Sequence, residues 1–163
     1  MVIKYNNLGV QQWASTYSNI FGNDRINAIE QNNNNVYAAG FVNNGTNDDA
    51  LLLKYNALGV QQWVKTFIDA GEERFYDMDS DSLQNIYVSG RTYTGSDFDA
   101  LTAKYSSAGV LKWLSKYNNG PDDSGNDIAV DCAGFVWTTG SSLNGSADDV
   151  LILKYNGKNG QQV

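Results

Sequence analysis

The sequence predicts an all-β chain built from repeated antiparallel units, and three observations predict it. First, a period of 50 residues runs through the 163-residue chain, marked by Lys4, Lys54, Lys104 and Lys154, by Gly9, Gly59 and Gly109, by Trp13, Trp63 and Trp113, and by Gly40, Gly90 and Gly140. Second, apolar and polar residues alternate in short runs. Third, no segment long enough to form a helix has apolar residues at helical spacing. A period of this length is typical of repeat architectures, in which each unit packs on the next.

One repeat unit, taken from Phe75 onward, contains four predicted strands. They are Asp77–Asp81, Ile86–Thr92, Asp99–Tyr105 and Val110–Tyr117. β-branched and aromatic residues are frequent in the strands, and Gly, Ser, Asn and Asp fill the connections, as in antiparallel hairpins. The last connection reads N-N-L-G, N-A-L-G and S-S-A-G in successive units. This pattern predicts a type I turn followed by a left-handed glycine and a bulge.

Four antiparallel strands in a unit of this length are typical of one blade of a β-propeller. On this interpretation residues 1–163 form a single repeat domain of about three and a quarter blades. The third and fourth strands of a partial blade lie in 1–20, complete blades in 21–70 and 71–120, and an incomplete blade in 121–163. Kelch blades carry two glycines after the second strand, where this chain has one, and the WD dipeptide is absent.

The repeat resembles a known family. The run G-x-x-Q-W, followed by D-x-x-G-x-V-Y-x-x-G and D-x-x-x-x-K-Y-x-x-x-G, is similar to the bacterial SBBP (seven-bladed β-propeller) repeat. The third unit matches best, through Asp131, Gly134, Val136, Trp137, Gly140, Asp149, Lys154 and Tyr155. The first unit departs from the pattern, with Gln31 and an Asn32–Asn35 run at its first turn. The resemblance implies a propeller and a secreted or cell-envelope protein of a bacterium, and it implies no reaction.

Composition argues against several classes of function. The net charge is −7 and the 11 basic residues are mostly dispersed, which disfavours nucleic acids and anionic membranes as partners. No apolar run reaches the length of a membrane span, and this stretch contains no secretory signal peptide. Cys132 is the only cysteine and histidine is absent, so an internal disulfide and the commonest general base are both missing. Because no nucleophile elbow or phosphate-binding loop is present either, we expect no enzyme.

Acidic residues recur in the loops that a propeller would place on one face. The loops between second and third strands contain the candidate ligand-binding residues Asp48, Asp49, Asp97, Asp99, Asp148 and Asp149. The loops before the first strands add Asp24, Asp69, Glu72, Glu73, Asp122 and Asp123. Loops on a rigid scaffold often bind ligands, and these carboxylates suit Ca²⁺, cations or sugars. The structural alternative is that Asp49, Asp99 and Asp149 accept backbone N–H bonds where the third strand begins, and recurrence in every unit favours this role.

Asp77, Asp79 and Asp81 spell D-x-D-x-D, which makes them candidate metal ligands on one side of a strand. The pattern then departs from a calcium-binding loop, since Ser82 stands where glycine belongs and Val88 where a bidentate glutamate belongs. The corresponding residues of the other units are expected to be Asn27, Ile29 and Gln31, and Asp127, Ala129 and Asp131. We expect no other cofactor.

Two further motifs have competing interpretations. Trp13, Trp63 and Trp113 are candidates for a sugar-stacking platform, but packing between blades, together with Tyr37, Tyr87 and Trp137, is favoured. Asn44-Gly45-Thr46 and Asn144-Gly145-Ser146 match the glycosylation sequon. Because Asn-Gly is also a strong turn signal, we expect both to form turns.

An open arc of blades leaves its two end sheets without cover. If each exposes roughly 400 to 600 Å² of apolar surface, the cost is on the order of 10 kcal/mol per face, comparable with the stability of a whole domain. We therefore expect a non-catalytic structural or protein-binding scaffold. It would be completed by a homo-oligomer that closes a ring or by the remaining blades of a longer parent chain. The alternative function is a carbohydrate- or calcium-binding lectin-like propeller that uses the acidic loops.

Overall fold

A computed structural model describes residues 1–163 and contains thirteen β-strands and no helix. The strands are β1 (Val2–Tyr5), β2 (Gln11–Ser15), β3 (Arg25–Asn32), β4 (Asn35–Asn43), β5 (Asp48–Tyr55), β6 (Gln61–Phe67), β7 (Glu73–Ser80), β8 (Ile86–Tyr93), β9 (Phe98–Tyr105), β10 (Leu111–Tyr117), β11 (Asp123–Val130), β12 (Phe135–Asn144) and β13 (Ala147–Asn156). The all-β prediction is confirmed. The chain has no helix of the length and hydropathy that crossing a membrane requires.

The strands form four antiparallel sheets in which spatial order follows chain order. Sheet 1 is β1–β2, sheet 2 is β3–β4–β5–β6, sheet 3 is β7–β8–β9–β10, and sheet 4 is β11–β12–β13. An isolated antiparallel bridge joins Tyr155 of β13 to Gln162. The predicted four-stranded antiparallel unit is confirmed in sheets 2 and 3, whereas the propeller arrangement of the sheets stays a prediction.

The first strand of sheet 3 begins earlier than its predicted start at Asp77, because a bulge interrupts its alternation. The pairing passes from Phe75 opposite Gly90 to Asp77 opposite Ser89, which leaves Tyr76 as the extra residue. Side chains on the two sides of a bulge no longer follow a period of two. Phe75 and Met78 therefore both enter the core. Because the alternation breaks at the bulge, the alternating pattern in the sequence does not show where the strand begins.

The register corrects the expected equivalence between the first strands. Gly40 pairs with Ile26, whereas Gly90 pairs with Phe75. Ile26 therefore corresponds to Phe75. Counting forward from this pair, Ala28, Glu30 and Asn32 correspond to Asp77, Asp79 and Asp81. The expectation of Asn27, Ile29 and Gln31 was therefore wrong by one position.

The shift arises from the turn that follows each of these strands. In sheet 2 the turn has two central residues, Asn33 and Asn34, at φ 48° and 63°. In sheet 3 the connection is longer: the N–H of Asp81 donates to the carbonyl of Asn85, and of the residues between them only Gln84, at φ 63°, is left-handed. Asparagine tolerates the left-handed region better than most residues, so the asparagine run allows the shorter turn.

The core consists of three layers, each between sheets that are consecutive in the chain. Val2 of sheet 1 joins Leu51, Leu53 and Tyr55 of sheet 2. The layer between sheets 2 and 3 contains Tyr37, Ala39, Ala50, Leu52, Phe75, Met78, Ile86, Val88, Leu101, Ala103 and Tyr105. The layer between sheets 3 and 4 contains Tyr87, Ala100, Trp113, Ile128, Val136, Leu151, Leu153 and Tyr155. Sheet 3 is therefore covered on both faces, whereas sheet 2 is covered on the face toward sheet 3 and only in part on the face toward sheet 1.

Candidate functional site

Each contact between consecutive sheets contains a lysine and a tryptophan that share one carbonyl. Lys54 Nζ and Trp63 Nε1 both donate to the backbone oxygen of Ser107, at 3.0 and 3.2 Å. The same arrangement joins Lys104 and Trp113 to Gly157, and Lys4 and Trp13 to Ala57. The accepting residue lies in the turn after the third strand of the next sheet. We call this arrangement the lysine–tryptophan clamp.

Sheet 4 exposes a face that is buried in the sheets before it. Its residues are Trp137, Thr139, Val150, Ile152 and Lys154, which cross-strand pairing places on one side. Val150 is 85% exposed and Ile152 is 63% exposed, whereas the equivalent Ala50, Leu52, Ala100 and Thr102 are all 0% exposed. We call this surface the C-terminal face. Isolated exposed apolar residues are ordinary, but a contiguous apolar patch usually marks an interaction site.

Sheet 1 exposes the opposite face, which in sheets 2, 3 and 4 packs on the preceding sheet. Tyr5 is 55% exposed, whereas Tyr55, Tyr105 and Tyr155 are buried. Ile3 lies on the same side, next to the turn at Asn6–Gly9. We call Ile3, Tyr5 and this turn the N-terminal face.

A groove lies between sheet 1 and strands β3 and β4 of sheet 2. It has a volume of about 450 Å³ and is lined by residues that include Tyr5, Trp13, Ile29 and Val36. Ile29 is 58% exposed, while its register equivalent Met78 is 5% exposed. The difference arises because sheet 1 has two strands and leaves β3 and β4 uncovered on that side.

Five of the six candidate ligand-binding aspartates, all except Asp148, accept hydrogen bonds from side chains of the protein itself. Asp48, Asp49 and Asp99 are buried, whereas Asp148 and Asp149 are exposed. Asp48 accepts from Arg74 Nε at 2.9 Å, and Asp97 accepts from Thr94 Oγ1 at 2.8 Å.

The recurrent aspartates where the third strand begins bind side-chain amides, and the expectation of backbone donors was wrong. Asp49 accepts from Asn44 Nδ2, Asp99 from Asn118 Nδ2, and Asp149 from Asn144 Nδ2, at 2.8, 2.7 and 3.3 Å. The physical reason is that an asparagine amide lies within reach of each carboxylate: Asn44 and Asn144 precede their aspartates by five residues, whereas Asn118 lies in the connection between β10 and β11. Burial raises the pKa of both Asp49 and Asp99. The structural role expected from their recurrence is therefore filled by different donors.

A second group of acidic residues stabilises the loops that lead into the first strands of sheets 2, 3 and 4. Asp24 accepts from the backbone N–H of Asn19, Glu73 from Gly71, and Asp123 from Asn119. Glu73 and Asp123 are almost wholly buried, and burial raises the pKa of Glu73. These acids hold the connections between sheets in place, and Glu73 and Asp123 have little surface available to a solvent ligand.

The structure does not bring Asp77, Asp79 and Asp81 together as a set of metal ligands. Asp77 Oδ2 accepts from the backbone N–H of Ile128 at 3.0 Å, and Asp79 Oδ2 accepts from Val130 at 2.6 Å. Asp81 instead caps its own turn through Leu83 and Asn85. No group of three or more acidic or cysteine side chains has an arrangement that would hold a metal ion. Asp77 and Asp79 thus join sheet 3 to the first strand of sheet 4.

The Asp77 carboxyl should make stability depend on pH. Burial, together with a hydrogen bond to Asp127, raises the pKa of Asp77 to about 6. Because the folded state binds this proton more tightly than the unfolded state does, this group increases the free energy of unfolding as the pH falls through 6. Asp77→Asn keeps an oxygen for Ile128 and removes the charge. We expect the variant to be more stable than the wild type at pH 7.5, with the difference shrinking towards pH 4.5.

Urea unfolding at the two pH values measures this difference. Asp127→Asn is the control variant, because it removes the neighbouring carboxylate and leaves the burial of Asp77 in place; it should reduce the pH dependence only in part. Equal differences between wild type and Asp77→Asn at both pH values would contradict the assignment.

The tryptophans and the sequon asparagines have structural contacts. Trp13 packs against Tyr55 of sheet 2, and Trp113 packs against Tyr155 of sheet 4, with ring centroids 6.3 and 6.1 Å apart, which confirms packing between sheets for these two tryptophans. Trp63 and Trp113 also contact Tyr37 and Tyr87 within their own sheets. Trp137 differs, because it is 37% exposed on the C-terminal face. Asn44 Oδ1 accepts from the N–H groups of Thr46 and Asn47, so the turn interpretation of that motif is confirmed.

Comparison with known proteins adds no family. No protein-family model matches the chain, and no curated protein matches it.

Sequence reasoning expected two uncovered end sheets, but it missed the lysine–tryptophan clamp and the residues that form each end face. The lysines and tryptophans were visible as markers of the period, and their equal spacing was the available signal. Their shared acceptor was not visible, because a backbone carbonyl carries no residue identity. Uncovered end sheets were expected from the open arc, but the residue types at positions 137, 150 and 152 gave no sign of exposure, since they are as apolar as their buried equivalents.

Proposed function

We propose that this chain is a non-catalytic β-propeller repeat module that acts as a structural or protein-binding scaffold. Sheets 2 and 3 are four-stranded meanders that repeat with the same period and pack face to face. This arrangement supports a propeller arc. The similarity to the bacterial SBBP repeat supports the same fold, and it implies a place outside the cell or in its envelope. The scaffold role rests on repeat symmetry and on carboxylates that bind the protein's own donors.

One observation carries the proposal: the C-terminal face repeats a surface that is buried in sheets 2 and 3. Val150 and Ile152 stand where Ala100 and Thr102 lie beneath sheet 4. Residues that pack against a next sheet in earlier units are therefore present here without one. The function that follows is to receive another sheet, supplied by a further copy or by the remaining blades of a longer parent chain.

Electron micrographs of the native particle test the propeller arrangement. We expect projections of a closed ring, with sheets arranged radially around a central channel. A straight stack of sheets would overturn the proposal, because stacked sandwiches and propellers bury the same faces but differ in curvature.

The lectin-like alternative is favoured by one observation, the exposure of Asp148 and Asp149 at the position where Asp48 and Asp49 are buried. Calorimetric titration with Ca²⁺ and with a glycan panel separates the two functions. The scaffold predicts no saturable heat in either titration. Saturable binding that Asp149→Asn abolishes, while Asp97→Asn leaves it intact, would favour the alternative.

A further inference from the structure

We infer that the C-terminal face of one copy docks on the N-terminal face of a second copy, in a head-to-tail contact. The inference rests on the proposed function and names the partner that covers the face. The two faces lie at opposite ends of the sheet array, and each repeats one side of a contact that the chain already contains between its own sheets.

The apolar part of the contact is defined by the repeated tyrosine. Tyr155 is buried on sheet 3, with its ring centroid 6.1 Å from that of Trp113, in the layer that includes Tyr87. Tyr5 has the same place in sheet 1 and is 55% exposed. Trp137 has the place of Tyr87 and is exposed on sheet 4. Docking would bury both aromatic side chains in the manner of the internal layer.

The polar part of the contact is also divided between the two ends. Lys154 lies where Lys54 and Lys104 donate to turn carbonyls. Its Nζ lies over the Trp137 ring at 4.6 Å, as Lys54 and Lys104 lie over Tyr37 and Tyr87, but it has no carbonyl acceptor. The carbonyl of Asn7 has the position of Ala57, Ser107 and Gly157, and no hydrogen bond reaches it. A second copy in the repeated arrangement brings this donor and this acceptor together.

The size of the residues on the C-terminal face favours sheet 1 over a complete sheet as the occupant. Three positions are larger than their equivalents: Val150 replaces alanine, Thr139 replaces Ala39 and Ser89, and Trp137 replaces tyrosine. In the internal contacts, a first strand of the next sheet packs on this region, as β7 does on β3, β4 and β5. Sheet 1 has no such inner strand, so it leaves room for the larger side chains.

The contact joins two different surfaces, so it is heterologous and generates a closed ring or a filament according to its rotation. This property allows a complementation test. Ile152→Asp destroys the C-terminal face only, and Tyr5→Asp destroys the N-terminal face only. Ile68→Asp is the matched control, because Ile68 is 62% exposed, close to the 63% of Ile152, and lies in a loop between sheets 2 and 3.

Sedimentation equilibrium over about 2 to 200 μM measures the association. We expect the wild type and Ile68→Asp to assemble beyond the 17.9 kDa of one chain. Ile152→Asp and Tyr5→Asp alone should each lose association by at least tenfold, which corresponds to about 1.4 kcal/mol. An equimolar mixture of these two variants should form a dimer and nothing larger, since one intact contact remains between them. Circular dichroism checks folding, and Ile152→Ser replaces Ile152→Asp if the charge prevents folding.

Two results would overturn the inference and leave the proposed function standing. One is assembly of Tyr5→Asp as strong as that of the wild type, because the C-terminal face would then pair with itself. The other is a wild-type monomer that binds a hydrophobic dye, because the face would then await a sheet from a longer chain. A monomer that binds no dye would overturn both, since it shows that the face needs no cover.

Discussion

Gly90→Ala should lower the free energy of unfolding by about 3 to 5 kcal/mol, in the range of the most damaging single substitutions. The bulge at Tyr76 brings the carbonyl of Arg74 against Gly90, and an added Cβ would lie 1.9 Å from that oxygen. The obstacle is backbone in the middle of a sheet, so it cannot move aside as a flexible side chain does. Since typical domains are stable by about 5 to 15 kcal/mol, this change should leave little stability.

Gly95→Ala is the matched control for this prediction. Gly95 has a φ of +101° and nothing within 4 Å of an added Cβ, so alanine meets backbone strain and no collision. The cost should be about 1 to 2 kcal/mol. Urea unfolding of both variants at one protein concentration gives the comparison. Equal losses in the free energy of unfolding would contradict the prediction, because the backbone near Gly90 would then accommodate a Cβ with little loss of stability. Gly40 and Gly140, with the same approach at 1.9 and 1.8 Å, should behave like Gly90.

Trp113→Ala should cost about 3 to 5 kcal/mol, the usual range for a buried tryptophan. The side chain is 8% exposed, packs between Tyr87 and Tyr155, and donates to the carbonyl of Gly157 at 3.1 Å. Its loss removes the central aromatic ring of the layer between sheets 3 and 4. Thermal and urea unfolding should both report the loss.

Two control variants separate packing from hydrogen bonding at this clamp. Trp113→Phe keeps an aromatic ring and leaves Gly157 accepting from Lys104 Nζ at 2.7 Å, so its cost should stay near 1 kcal/mol. Trp13→Ala should cost less than Trp113→Ala, because Trp13 is half-buried at the edge of the array. If Trp113→Phe were as damaging as Trp113→Ala, the hydrogen bond and not packing would dominate the clamp.

The strands that follow simple rules could be predicted from sequence. β8, β9 and β10 lie close to their predicted bounds, and Gly9, Gly59 and Gly109 adopt the expected left-handed conformation at φ 74° to 77°. These features are local, since alternation and turn chemistry are contained in a few neighbouring residues. The bulge beside Gly90 is not local. It depends on which residue of another strand lies opposite, and so the early start of β7 at Glu73 was missed.

The candidate site could be predicted less well, for a physical reason. A carboxylate in a loop has the same sequence signature whether it faces solvent or accepts a bond from a neighbouring sheet, as Asp77 and Asp79 do. Likewise, the apolar character of Ile152 matches that of the buried Leu52, and only the position of sheet 4 at the end of the array distinguishes them. Exposure is a property of the assembled sheets, which the residue types alone do not encode.

The native mass of the particle, measured by light scattering together with binding of a hydrophobic dye, tests the central claim most directly. The claim is that the C-terminal face is an interface, since its equivalents are buried in every preceding four-stranded sheet. The account predicts a mass of at least twice 17.9 kDa with little dye bound. A monomer of 17.9 kDa that unfolds cooperatively and binds no dye would contradict it.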